Sequence, residues 1–184
     1  MILYNFSYLC PKILKDNNMR TIGFILCFSF LFSCCNKLFK DEELSQQRVP
    51  YTGNEIRTDG YYYYYWASQD SPVDDYTAVF FLYRNGVFLV GQSYKSINLD
   101  TVEKKMLDRY ELLVQKKVGW GVFIITNDKL DFEHWYSAAG GLPVAKSLYY
   151  IENDTTLRSP YEQIYHFKQF SPKPDSSAAY KWIK

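Results

Sequence analysis

Thr77-Ala-Val-Phe-Phe-Leu-Tyr-Arg-Asn-Gly-Val-Phe-Leu-Val90 decides the fold. Two apolar runs, 79–83 and 87–90, flank Asn85-Gly86, the strongest short-range hairpin signal, because both turn positions call for positive φ. Neither run alternates, so each reads as a strand buried on both faces. The same grammar repeats outward. Segments 120–126 and 129–136 flank Asn127-Asp128, and 148–151 and 155–157 flank Asn153-Asp154, a turn whose side chains can bond their own backbone. Upstream, Tyr61-Tyr62-Tyr63-Tyr64-Tyr65 and Trp66 have no helical stripe and high β-propensity. Downstream, 163–170 gives a last long strand and 181–184 a short one. Leu130-Asp-Phe-Glu-His134 alternates, with Leu130, Phe132 and His134 on one face.

One segment departs from this pattern. Asp100-Thr-Val-Glu103 has the spacing of a capping box, and Val102, Met106, Tyr110 and Leu113 recur at helical steps. Gly119, after Lys116-Lys117, reads as a stop. The expected fold is therefore mainly β. It is an antiparallel meander of about seven or eight strands, curved into a small barrel or half-barrel, with one amphipathic helix over about 100–116 packed on it.

Composition agrees. The 184 residues make room for one domain and a leader, and 47% hydrophobic against 22% charged residues suffices for a core. The aromatic share of 19%, with 18 Tyr and 13 Phe, favours strands. A net charge of +1 argues against nucleic acid, which needs a basic surface to displace counterions.

The leader fixes an expected address. Cys10, Cys27, Cys34 and Cys35 all precede Asn36, so no disulfide staples the folded part. Arg20 and the apolar run from Thr21 to Phe32 read as a signal peptide, too short to span a bilayer. Leu31-Phe32-Ser33-Cys34 resembles the lipobox of bacterial lipoproteins, in which the cysteine is lipidated and becomes the N-terminus. Phe32 departs from the small residue usual there, and Cys35 is a second candidate. An uncleaved anchor or an ordinary secretory signal is the alternative. The expected organisation is an upstream extension over 1–18 with translation from Met19, a signal over 19–33, lipidated Cys34 with a flexible tether to 55, and one domain over 56–184. With the leader removed the charge is near neutral, so acyl chains on Cys34, not a basic face, would hold the protein on the membrane, the outer membrane of the cell envelope first. Lys40-Asp41-Glu42-Glu43 resembles the acidic export tag of some Bacteroidota lipoproteins; a solvated linker explains it equally well.

Over most of its length the chain resembles small Bacteroidota lipoproteins of unassigned function. The matching features are the Cys34 leader, Asp59-Gly60 before the tyrosine strand, Arg84-Asn85-Gly86-Val87, Trp120-Gly121-Val122 and Phe170-Ser-Pro-Lys-Pro-Asp-Ser176. That resemblance implies no activity. Similarity to calycins stops at the barrel class, since their Gly-x-Trp near the first strand is absent and the helix here lies mid-chain.

Chemistry is sparse. His134 and His166 are the available bases, no cysteine lies in the domain, and neither histidine sits in a nucleophile motif. Asp131 and Glu133 fall on the strand face opposite His134, which excludes a local metal cluster; a two-histidine site completed by a distant carboxylate is the remaining metal option. Asp74, Asp75, Glu152 and Asp154 sit beside turns and read as solvated. The chain is accordingly read as a non-enzyme with no catalytic residue, metal or cofactor. Tyrosine and tryptophan combine an apolar body with a polar tip and suit pockets and interfaces. Tyr61, Tyr63, Tyr65, Trp66, Trp120 and His134 are the candidate ligand-binding residues. Two readings follow: a barrel that holds an apolar or aromatic small molecule, or a non-catalytic envelope module that binds protein or glycan through aromatic surface. They separate on whether the interior is open or filled.

Overall fold

The computed structural model describes residues 41–66 and 75–184. The signal segment, Cys34, Lys40 and Asp74 lie outside them. Eight strands form: β1 Gly60–Trp66, β2 Tyr76–Leu82, β3 Val87–Tyr94, β4 Trp120–Thr126, β5 Lys129–Trp135, β6 Val144–Asn153, β7 Thr156–Arg158 and β8 Ile164–Gln169. Each pairs antiparallel with the next, and β8 returns to β1 with Phe167 opposite Tyr62, so the meander closes into an eight-stranded barrel. Closure removes the sheet edges that a half-barrel would leave open to pairing.

The asparagine turns sit where the sequence placed them. Between β2 and β3 only Gly86 takes positive φ, at 80°. Gly86 N–H donates to the Tyr83 carbonyl at 2.9 Å, which makes a three-residue loop in place of the two-residue turn expected. Asn127, at φ 55°, turns β4 into β5. At the β6–β7 turn the Asn153 side chain accepts from the Thr155 N–H at 3.0 Å. A bulge in β3, with Gln92 at φ 89°, shifts the register between Val79 and Phe80 and sharpens the local bend.

Strands apolar at both parities separate two cores. Register puts Tyr62, Phe80, Leu82, Phe88, Phe123, Leu130, Phe132, Leu157 and Tyr165 in the barrel interior. The opposite parity, with Tyr61, Val79, Phe81, Leu89, Trp120, Val122 and Trp135, packs outward under the helices. Two short helices stand where one was expected: α1 Leu99–Leu107 and α2 Tyr110–Val114. Asn98, not Asp100, caps α1, its side chain accepting from the Thr101 N–H at 3.1 Å. Val102 and Met106 of α1 and Leu113 of α2 are buried, as the helical stripe requires. The chain ends in a 3-10 helix, Ser176–Lys181, and not in a ninth strand: Asp175 caps it, and Ala179 and Ile183 bury against the outer core.

Residues 41–55, which the sequence assigns to a tether, belong to the same compact unit as the barrel. They run as a strap along its outer wall. Asp41 and Glu42 bond the β5–β6 connection, Ser45 and Gln46 bond Glu133 of β5, Arg48 bonds the Asn85 carbonyl, and Tyr51 N–H donates to the Arg84 carbonyl. Glu133 is 1% exposed. Burial alone would raise its carboxyl, but the Lys146 ammonium at 2.6 Å, the Ser45 hydroxyl and the N–H groups of Gln46 and Ser45 outweigh that and hold it at about 2.

Candidate functional site

The interior is filled at one end. Past Tyr51 the strap turns inward, and Ile56, 1% exposed, enters the barrel between the β2–β3, β4–β5 and β6–β7 turns. Tyr62 ties it down: its hydroxyl accepts from the Arg57 N–H at 3.1 Å and donates to the Asp154 carbonyl at 2.8 Å. Lys173 crosses the same end, donating to the Leu82 carbonyl at 2.9 Å, with its ammonium 4.0 Å from the centre of the Tyr83 ring. Burial lowers that ammonium to about 8.

A layer of rings closes the middle. Phe80 lies at its hub, with ring centres of Phe88 at 5.4 Å, Tyr165 at 5.3 Å, Tyr149 at 6.0 Å and Phe132 at 6.2 Å. Phe88 and Phe132 stack at 4.3 Å. Burying each such ring contributes about 2 to 3 kcal/mol, so this layer is the stability of the barrel and the floor of whatever lies above it.

Above that floor the inward side chains become small or water-reached. His134 lies over Phe88 and Phe132, its ring 5.5 Å and 6.1 Å from theirs. Its cross-strand neighbours are Gly121 and Ala145, both small residues. A Cβ at Gly121 would meet the Glu133 carbonyl, so close backbone approach of β4 and β5 dictates that glycine. Ala78, Ala145, Ser147 and Tyr64, all of inward parity, are only partly buried, whereas Leu82, Phe123, Leu130 and Leu157 toward the other end are fully buried. Trp66 and Tyr76, paired across β1 and β2, and Tyr136 stand at this end of the strands. His134 Nδ1 is buried and has no hydrogen-bond partner among the described residues. Burial lowers its imidazole to about 4, so it is neutral at pH 7. A neutral imidazole thus stands over the aromatic floor with one ring nitrogen buried and unpaired.

The sequence candidates divide between the two faces. His134 and Trp66 share the interior parity, His134 at the floor and Trp66 at the rim. Tyr61 is on the outer face under α1, its hydroxyl donating to Glu103 at 2.8 Å, and burial foremost, then Glu103, raises that phenol. Tyr63 and Tyr65 follow it on the outer wall, ring against ring at 5.1 Å. Trp120 is fully buried in the outer core near Tyr83. Tyr64, Tyr149 and Tyr165, which the sequence did not single out, line the interior instead, with Tyr165 centres 5.4 Å from Tyr64 and 5.1 Å from Tyr149. Alternation separated Tyr61, Tyr63 and Tyr65 from Tyr62, Tyr64 and Trp66. The missing signal was which set faces in, and only pairing with Phe80 and Phe167 supplies it.

Among the described residues no group of His, Cys, Asp and Glu could hold a metal ion, and no helix is long and apolar enough to cross a membrane. Comparison of the chain with protein-family models, with curated proteins and with solved structures found no match in any of the three.

Proposed function

We propose that this chain is a lipid-anchored bacterial envelope lipoprotein whose barrel binds an apolar or aromatic small molecule in its open mouth. The observation that carries the reading is the asymmetry of the interior: full burial at the strap-plugged end, and small, water-reached side chains over an aromatic floor at the other. Ligand sites favour such a concave apolar lining with few polar groups, and barrel mouths are a common place for them. The His134 imidazole and the rings of Tyr64, Tyr149 and Trp66, with their polar tips, would supply the lining. The anchor is Cys34, read from its lipobox, and the Bacteroidota-type family reading rests on the same leader and motifs.

Native mass spectrometry of the full-length protein, purified gently from its own host, tests this. Acyl chains on Cys34 survive denaturation because they are covalent. The reading expects a further mass that vanishes on denaturation. A protein that carries only its covalent lipid would remove the carrier reading and leave the alternative of a non-catalytic module that meets protein or glycan through aromatic surface. The exposed rings of Trp66, Tyr136 and Tyr161 would then be that surface.

A further inference from the structure

The strap begins at the open end. The Asp41 carboxylate accepts from the Leu142 N–H at 3.2 Å and pairs with Lys117 at 3.0 Å. The Glu42 N–H donates to the Leu142 carbonyl at 3.0 Å, its carboxylate accepts from the Val144 N–H at 2.8 Å, and its carbonyl takes the Trp135 indole N–H at 2.7 Å. Trp135 ends β5 and Val144 starts β6, so these bonds pin the strap beside the connection that frames the mouth. Cys34 precedes Asp41 by seven residues, a reach of at most about 25 Å even when fully extended. The ten residues of β6 alone span about 33 Å. A lipid on Cys34 can therefore bring the open end to the bilayer easily. To place the plugged end there, the tether would have to run back along the whole barrel.

The rim suits that neighbour. Tyr65, Trp66, Ile97, Tyr136 and Tyr161 are exposed large apolar side chains, and all five lie on the strand ends and connections of the open end. Trp66 is 57% and Tyr161 85% exposed. Tryptophan and tyrosine partition to the headgroup boundary, where ring and polar tip are both satisfied. Glu162, next to Tyr161, is paired at 3.0 Å with Arg158, which also pairs with Glu152 at 2.6 Å.

We propose that the mouth opens onto the bilayer that holds the Cys34 acyl chains, with the aromatic rim seated at its interface, and that the guest is a lipid acyl chain drawn from that bilayer. This rests on the lipid-anchored reading. The test uses the full-length lipidated protein in vesicles of phosphatidylethanolamine and phosphatidylglycerol whose chains carry bromine, a contact quencher of tryptophan. Wild-type fluorescence should fall, and Trp66→Phe should lose at least half of that quenching, since Trp120 and Trp135 are buried and Trp182 packs half-buried against the outer core. In a Trp66→Phe background, His134→Trp places a reporter on the floor of the mouth, and its emission should also be quenched.

Vesicle-bound protein whose Trp66 emission is unquenched would overturn the orientation while leaving the anchor intact. Quenching at Trp66 but not at a folded His134→Trp would overturn the acyl chain as guest. If Cys34→Ser protein sediments with vesicles as well as wild type does, it is the anchor reading that fails, and that outcome is read from sedimentation alone.

Discussion

At one end of the barrel Ile56, Leu82, Phe88, Phe123 and Leu130 are fully buried and the strap is bonded over them; at the other, Ala78, Ala145 and Ser147 face inward and water reaches all three. The same eight strands build both ends. The difference comes from side-chain size at inward positions and from where the chain enters. An eight-stranded barrel is just wide enough for large side chains to fill it, so runs of Phe and Leu close it, while the inward Ala78, Ala145 and Ser147 at the other end are small. Stability is concentrated in the filled end.

Substitutions at the two ends should therefore differ in cost. The largest effect falls at the hub: Phe80→Ala removes a ring that touches five others and should lower unfolding free energy by about 3 to 5 kcal/mol in urea denaturation. A loss below about 1 kcal/mol would mean that the middle layer is not packed as described.

Acid should act on two buried groups in separate windows. His134 has a folded value of about 4 against an ordinary value of 6.5. The unfolded state then takes up the proton first, and the His134 contribution to stability, constant above pH 6.5, declines between 6.5 and 4 by up to ~3 kcal/mol. His134→Gln should flatten that limb. Glu133, at about 2 against 4.5, contributes stability above pH 4.5 that is lost as pH falls from 4.5 to 2. Glu133→Gln should remove this second limb, and because it loosens the strap and not the mouth, it should leave the first in place. Melting curves from pH 8 to 3 separate the two.

Rim substitutions should cost least. Trp66→Ala gives up one stacked pair with Tyr76 and little burial, and should shift stability by under about 1 kcal/mol in the same urea series. A loss as large as that of Phe80→Ala would erase the distinction between the ends.

Much of the barrel was legible because its information is local. Asn85-Gly86, Asn127-Asp128 and Asn153-Asp154 each mark a turn between strands that pair, and the double-faced run 79–83 announces a sheet covered on both sides. Closure was not, since it depends on Tyr62 meeting Phe167, and no local signal carries a contact between the first and last strands. The strap was opaque for a related reason. Residues 41–55 are polar and aperiodic, and their order comes from distant partners such as Glu133, whose burial shows only once Ser45 and Lys146 are seen to satisfy it. In the helical region the stripe was correct, but Asp108 and Arg109 interrupt the helix, and Asn98 competes as its cap. Of the site, His134 was legible through its alternation with Leu130 and Phe132, while the roles of Tyr64, Tyr149 and Tyr165 needed the register.

The most direct test of the open end is a titration of full-length protein with N-phenyl-1-naphthylamine, an apolar ring probe whose emission rises on leaving water, in parallel with Ala145→Trp. Wild type should show saturable one-site binding, and Ala145→Trp, which fills the space beside His134, should weaken it at least tenfold while melting at nearly the same temperature. Equal binding by the two proteins, or no saturable binding by wild type, would contradict an open mouth.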